Sequence, residues 1–317
     1  MPEWLIEAGI GETRAALVND GEIVEARTEI EGSVSAGTVL AARLTSVGQA
    51  GRNAVASAEG VEYLLPVAPR VTQGAALAIE VTRAAVPGVE PWKRPLARVS
   101  EVVPGPTRSL AERLGGRVLT FPAPHDALEE AGWSALIDEA RSGMVEFAGG
   151  ALRLSPTPAM TLIDVDGVLP PEELALAGAR AAATTIRRLA IGGSIGIDLP
   201  TVRSKAARMA QAEAIDAILL PPFERTAVNG FGFVQIVRPR TGPSLIELGQ
   251  DRAGFEARAL LRRAARSTGA IRLVAHPAVL SAIGPGWIER LARQVGGAVS
   301  LRGDASLAMS GAYAEPD

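Results

Sequence analysis

The sequence predicts an α/β protein that also carries a small β-barrel, and three observations lead there. Residues 36–100 hold short β-prone segments separated by glycines, the spacing of a small antiparallel barrel. Residues 159–237 alternate strand, helix, strand, helix, strand, the rhythm of a layered α/β unit. The chain has 317 residues, 47% apolar and 21% charged, which is enough to build two or three cores and ordinary for a globular protein.

Alternating apolar positions predict short strands at 4–6, 14–18 and 23–26, with a turn at Asn19-Asp20-Gly21. The barrel segments are 37–44, 54–58, 62–65 and 76–82. Residues 86–108 hold five prolines and read as a connector. A helix is expected over 126–142, then paired strands at 144–147 and 151–154 across Gly149-Gly150. Beyond 250, the expected order is a helix at 255–266, a strand at 271–275, a helix at 287–295 and a strand at 298–301.

Composition excludes several chemistries. With no cysteine there is neither a disulfide nor a thiolate metal site. The two histidines, His125 and His276, each sit beside a proline in a loop-like context, a poor arrangement for a paired acid and base. Phosphodiester chemistry here would rest on carboxylates and a hard divalent cation. The net charge of −3 argues against indiscriminate coating of nucleic acid. Charge is uneven, however: residues 231–272 hold eight arginines against three acids, a phosphate-tracking surface or simply a solvated helix face. No basic leader and no apolar run of about 20 residues is present, so no membrane partner is expected and the cytoplasm is the default.

The most informative stretch is Met160-Thr161-Leu162-Ile163-Asp164-Val165-Asp166-Gly167. As a strand it sends Asp164 and Asp166 to one face. A helix follows, with Pro170-Pro171 in its first turn, Glu172 and Glu173 suited to its dipole, and Gly192-Gly193 at its end. Gly178 lies on its apolar face and permits close packing on a sheet. Residues 194–198 form the next strand, stopped by Pro200. A right-handed strand–helix–strand unit makes the two strands parallel and usually adjacent, so Asp198 arrives beside Asp164 and Asp166 at their carboxyl ends. Three carboxylates at one edge invite a cation, and magnesium accepts one or two carboxylates while keeping waters that phosphate oxygens can replace. The alternative is that these aspartates cap the helices that follow.

These same stretches carry a resemblance. Residues 151–167 (ALRLSPTPAMTLIDVDG), 192–198 (GGSIGID), 226–247 (TAVNGFGFVQIVRPRTGPSLIE) and the opening WLIEAGIGETRAALVNDGEIVE resemble, in the same order, segments of the RNase E/G endoribonuclease family. That resemblance implies a magnesium-dependent endonuclease acting on single-stranded RNA in processing or decay, with Asp164 and Asp198 as the metal-binding aspartates. Asp166 falls where the family usually has an asparagine that orients the phosphate or its water. It also implies an organisation: 1–35 as the first strands of an RNase H-like subdomain, 36–100 as an OB-type RNA-binding barrel, and 106–158 as the remainder of the RNase H-like part. Residues 159–250 would be a DNase I-like catalytic α/β subdomain, and 251–317 a small C-terminal α/β piece.

Departures from the family are specific. The cysteine pair that links family dimers through zinc is missing, so any homo-oligomer forms by another route. The 5′-end sensor segment is too short to be present. Ala56 and Leu64 stand where the family's barrel aromatics stack on bases, leaving Tyr63 or Phe233 as substitutes, and Pro158 replaces a glutamate. The candidate RNA contacts are Lys93 and Arg94 at the barrel's end, and Arg238 and Arg240 after the third strand of the α/β unit. A second expectation is a catalytically weak or inactive RNA-binding paralogue of the same fold.

Overall fold

In the computed structural model, which describes residues 1–48, 52–86, 93–120 and 125–317, segments distant in sequence combine into two units. Unit 1 contains Met1–Gly32, Leu110–Ser134 and Leu248–Asp317, and unit 2 contains Ser33–Ser109 and Ala135–Glu247. Strands and helices are numbered in chain order. Part of the proline-rich connector, 87–92, lies outside the described residues.

Unit 1 opens with β1 (Glu3–Ala8), β2 (Glu12–Asn19) and β3 (Glu22–Ile30), an antiparallel meander. Its tight turn uses Asp20 and Gly21, both at positive φ (51° and 84°), the backbone that a two-residue hairpin requires. Ile6 and Ala15 on the inner face pack against Leu110 at the start of the short helix α1 (Leu110–Leu114). The chain then adds β9 (Arg117–Val118) parallel to β1, giving the sheet order β3-β2-β1-β9. A second sheet, in the order β17-β16-β18, comprises β16 (Ile271–Ala275), β17 (Val299–Gly303) and β18 (Tyr313–Pro316). Around it pack α7 (Arg252–Ala264), α8 (Pro277–Ser281) and α9 (Trp287–Val295), burying Leu260, Leu261, Leu273, Val279 and Leu291.

Unit 2 holds a closed five-stranded barrel of β4 (Val39–Ser46), β5 (Arg52–Ala58), β6 (Val61–Val67), β7 (Ala76–Arg83) and β8 (Leu96–Ser100), in the order β4-β5-β6-β8-β7. Leu44, Tyr63, Leu65, Ile79 and Val81 fill it. The expected segments give four of these strands. The fifth, β8, lies inside the proline-rich stretch, and only Ala97 of its residues is buried, so it has no periodic signal.

The expected helix over 126–142 is two helices, α2 (Ala127–Glu130) and α3 (Trp133–Ser142), interrupted at Gly132 with φ 97°. After them comes a six-stranded sheet in the order β10-β11-β12-β13-β15-β14. Its members are β10 (Met144–Phe147), β11 (Gly150–Pro156), β12 (Thr161–Gly167), β13 (Gly193–Asp198), β14 (Glu224–Arg225) and β15 (Phe233–Arg238). The β10–β11 hairpin, grouped in the sequence with 106–158, is thus hydrogen-bonded to β12. Between the strands run α4 (Pro171–Arg188) and α5 (Lys205–Ile218), and α6 (Leu245–Gln250) follows β15. A Cβ at Gly178 would sit 2.4 Å from a Val165 methyl, so α4 lies on β12 at a distance only glycine allows. Among the described residues no helix is long and apolar enough to cross a membrane.

Candidate functional site

Strand β12 alternates strictly: Thr161, Ile163 and Val165 are buried, whereas Leu162, Asp164 and Asp166 are exposed. Strand β13 is parallel to it, and Asp164 pairs in register with Asp198, which is also exposed. Paired positions on neighbouring strands project to the same side, with backbones about 4.8 Å apart. All three predicted aspartates therefore stand on the face of the sheet opposite Ile163 and Val165, at its carboxyl edge.

Helix capping does not explain them. Helix α4 begins with Pro170 as its N-cap and Pro171 inside, with no side-chain cap. Helix α5 is capped by Ser204, whose Oγ accepts from the Ala207 amide at 3.2 Å. The basic group whose charge acts on Asp164 is Arg153, its register partner on β11. Its Nε lies 3.7 Å from the Asp166 carboxylate, with both side chains largely in solvent. The Asp164 carboxyl titrates above its ordinary range, because of partial desolvation first and then the charges of Asp166 and Asp198, with Arg153 opposing. Crowded carboxylates of this kind favour a cation.

Among the described residues no three acidic or histidine side chains cluster closely enough to hold a metal between them. Asp164 and Asp198 would supply two oxygen ligands, which suits magnesium, an ion that keeps most of its waters.

The four basic candidates lie elsewhere. Arg238 pairs with Gly193, at the opposite end of β13 from Asp198, about 17 Å away along the strand. Its guanidinium donates to the Ile191 carbonyl at 3.0 Å, tying down the chain just after α4. Arg240 is paired with Glu247, which also accepts from the Ser244 amide at 2.8 Å and its hydroxyl at 2.9 Å. Arg94 pairs with Glu62 at 2.7 Å on the barrel, and Lys93 precedes it, half-buried. In the barrel, Tyr63 is 1% exposed and Ala56 is fully buried, so neither position presents a face to a base.

The sequence reading did not place two aromatics at the aspartate edge. Phe233 is the register partner of Asp198 on β15, and Phe231 just before it is exposed. The available signal was an aromatic set between two glycines in Asn229-Gly230-Phe231-Gly232, where a turn displays rather than buries a ring. Compared with known proteins, the chain matches no family model and no curated protein.

Proposed function

We propose that the protein is a magnesium-dependent endoribonuclease that hydrolyses phosphodiester bonds in single-stranded RNA. The observation that carries this reading is the in-register pairing of Asp164 with Asp198 on one exposed face of adjacent parallel strands. The Asp164 carboxyl, raised by partial desolvation and by the charges of Asp166 and Asp198 against that of Arg153, supports it. The barrel supports an OB-type RNA-binding module, since its fifth strand sits between the third and fourth and runs parallel to the third.

Asp164 and Asp198 would hold the ion from paired positions on two adjacent hydrogen-bonded strands, which set the spacing of the two carboxylates. When bound, magnesium supplies positive charge against the phosphoryl oxygens and acidifies water. Asp166 accepts a hydrogen bond from, and orients, the attacking water. Arg153 offsets the charge of Asp166, and its guanidinium is placed to meet a phosphate approaching the edge. Products would carry 5′-phosphate and 3′-hydroxyl ends.

The experiment is incubation of end-labelled unstructured RNA with and without magnesium, followed by end-group analysis. Wild-type protein should cut only with the cation, and Asp164→Asn and Asp198→Asn should each lose at least about two orders of magnitude in rate, as removal of a transition-state charge partner does. Full activity in either folded variant refutes the reading. The second reading, an RNA-binding paralogue without turnover, is favoured by Asp166, which adds negative charge where a phosphate must approach. Magnesium-independent gel retardation without cleavage would select it.

A further inference from the structure

We infer that Phe231 is a stacking platform for an unpaired nucleobase next to the phosphate held at Asp164 and Asp198. This rests on the nuclease reading and adds a subsite to it.

Phe231 is 82% exposed, although the chain has only six phenylalanines and each buried ring contributes to a core. Its loop is built to hold it there. The Asn229 side-chain oxygen accepts from the Phe231 amide at 2.9 Å and from the Phe233 amide at 3.1 Å. The Thr201 hydroxyl donates to the Phe231 carbonyl at 2.9 Å. Gly232 takes φ +92°, and a Cβ there would lie 2.1 Å from the Leu199 carbonyl oxygen, so the loop is pressed onto the chain that leaves β13. An exposed ring on a backbone fixed at four points differs from a ring on a frayed loop, because little entropy remains to be lost when a flat ligand settles on it.

Its place in the sheet gives the ligand. Because β15 runs antiparallel to β13, the start of β15 lies at the carboxyl edge, and Phe233 pairs directly with Asp198. Two residues of chain separate Phe231 from that pair, at most about 7 Å. Asp198 stands one strand further on, about 4.8 Å from Phe233, so a phosphate at the aspartates brings a base one or two nucleotides along the strand within reach of the ring. Aromatic stacking tolerates any base, because every base has a π-face. It also requires a base free of its partner strand, which would confine the site to unpaired RNA. With Tyr63 enclosed in the barrel, Phe231 presents the open ring face that Tyr63 does not.

The test uses the full-length protein and a short fluorescein-labelled single-stranded RNA carrying one 2-aminopurine. Binding is read by anisotropy without magnesium, so that cleavage does not enter. Phe231→Ala and Phe231→Leu should each weaken binding roughly five- to a hundred-fold and restore the 2-aminopurine fluorescence quenched by wild type. Phe231→Trp should retain both affinity and quenching, and thermal midpoints should stay unchanged for all three. Wild-type affinity in Phe231→Ala, with cleavage intact, overturns the subsite and leaves the nuclease reading standing. Equal affinity of Phe231→Leu and wild type also overturns it, since an apolar contact would then suffice. A variant that binds RNA normally but no longer self-associates on sedimentation would make Phe231 a contact between copies and overturn it too. Wild-type protein that neither binds nor cuts RNA removes both readings together.

Discussion

The ring of Phe233 occupies the space in which a side chain at Gly196 would stand: a Cβ there would lie 2.6 Å from Phe233 Cζ and 2.9 Å from Cε2. Leu162 closes the other side, its Cδ2 3.1 Å from the same point. Ring, glycine and leucine form the floor on which Asp164 and Asp198 stand, because 162 pairs with 196 and 164 with 198.

Gly196→Ala should therefore displace the Phe233 ring. The cost should be about 1–3 kcal/mol, the usual range for overpacking a filled site. Cleavage should fall as well, since Asp198 is two residues along the same strand. Urea unfolding of the variant checks this, and a midpoint equal to wild type would show that the ring turns aside freely.

Much of this edge is legible in the sequence because a strand has a period of two. Ile163 and Val165 alternating with Asp164 and Asp166 fixed their faces before any coordinates, and the rule for parallel crossovers placed Asp198 beside them. The direction of the next strand has no such local signature. Whether β15 runs with or against β13 depends on how the chain returns past α5, and that choice puts Arg238 at the far end while bringing Phe231 to the near one. Strand β8 was illegible because one buried alanine carries no pattern. The hairpin 144–156 was recognisable as a hairpin, but its partner, β12, is chosen by tertiary packing.

Asp164 provides a prediction in pH. Its folded pKa is raised by desolvation, then by Asp166 and Asp198, so the folded state binds a proton more readily than the unfolded chain. The resulting destabilisation is fully present above the folded pKa, and it is relieved as pH falls towards the unfolded value. Asp198→Asn should lower the Asp164 titration and stabilise the protein at neutral pH, a trade of stability for function common at charged sites. Magnesium should lower the same titration in wild type. Carboxyl carbon shifts followed by NMR across the acid range measure both, and a magnesium-insensitive Asp164 curve would refute a shared ion.

Within unit 1, Arg14 is 1% exposed and its Nε lies 2.7 Å from Glu7, itself 2% exposed, while its Nη2 lies 2.9 Å from Asp126. The guanidinium also stacks over Trp133 at 5.1 Å, and Arg266 bridges Asp126 at 2.5 Å and Glu7 at 3.3 Å. Removing one member strands the others, so Arg14→Leu should cost about 3–5 kcal/mol, whereas Glu7→Leu combined with Arg14→Leu should cost less than the single change. Burial alone would raise the Asp126 carboxyl, but Arg14, the Glu129 amide and Arg266 together hold it below its ordinary value. The stability it contributes is thus present above its unfolded pKa and lost as pH falls through the folded one. Without Arg14 the Asp126 pKa should climb, and the acid limb of unfolding should move to higher pH. Urea titrations of wild type, the single and the double variant, at neutral pH and through the acid limb, test both statements. A double variant weaker than Arg14→Leu would mean that the Arg266–Glu7 pair is worth more than the cost of leaving Glu7 without Arg14.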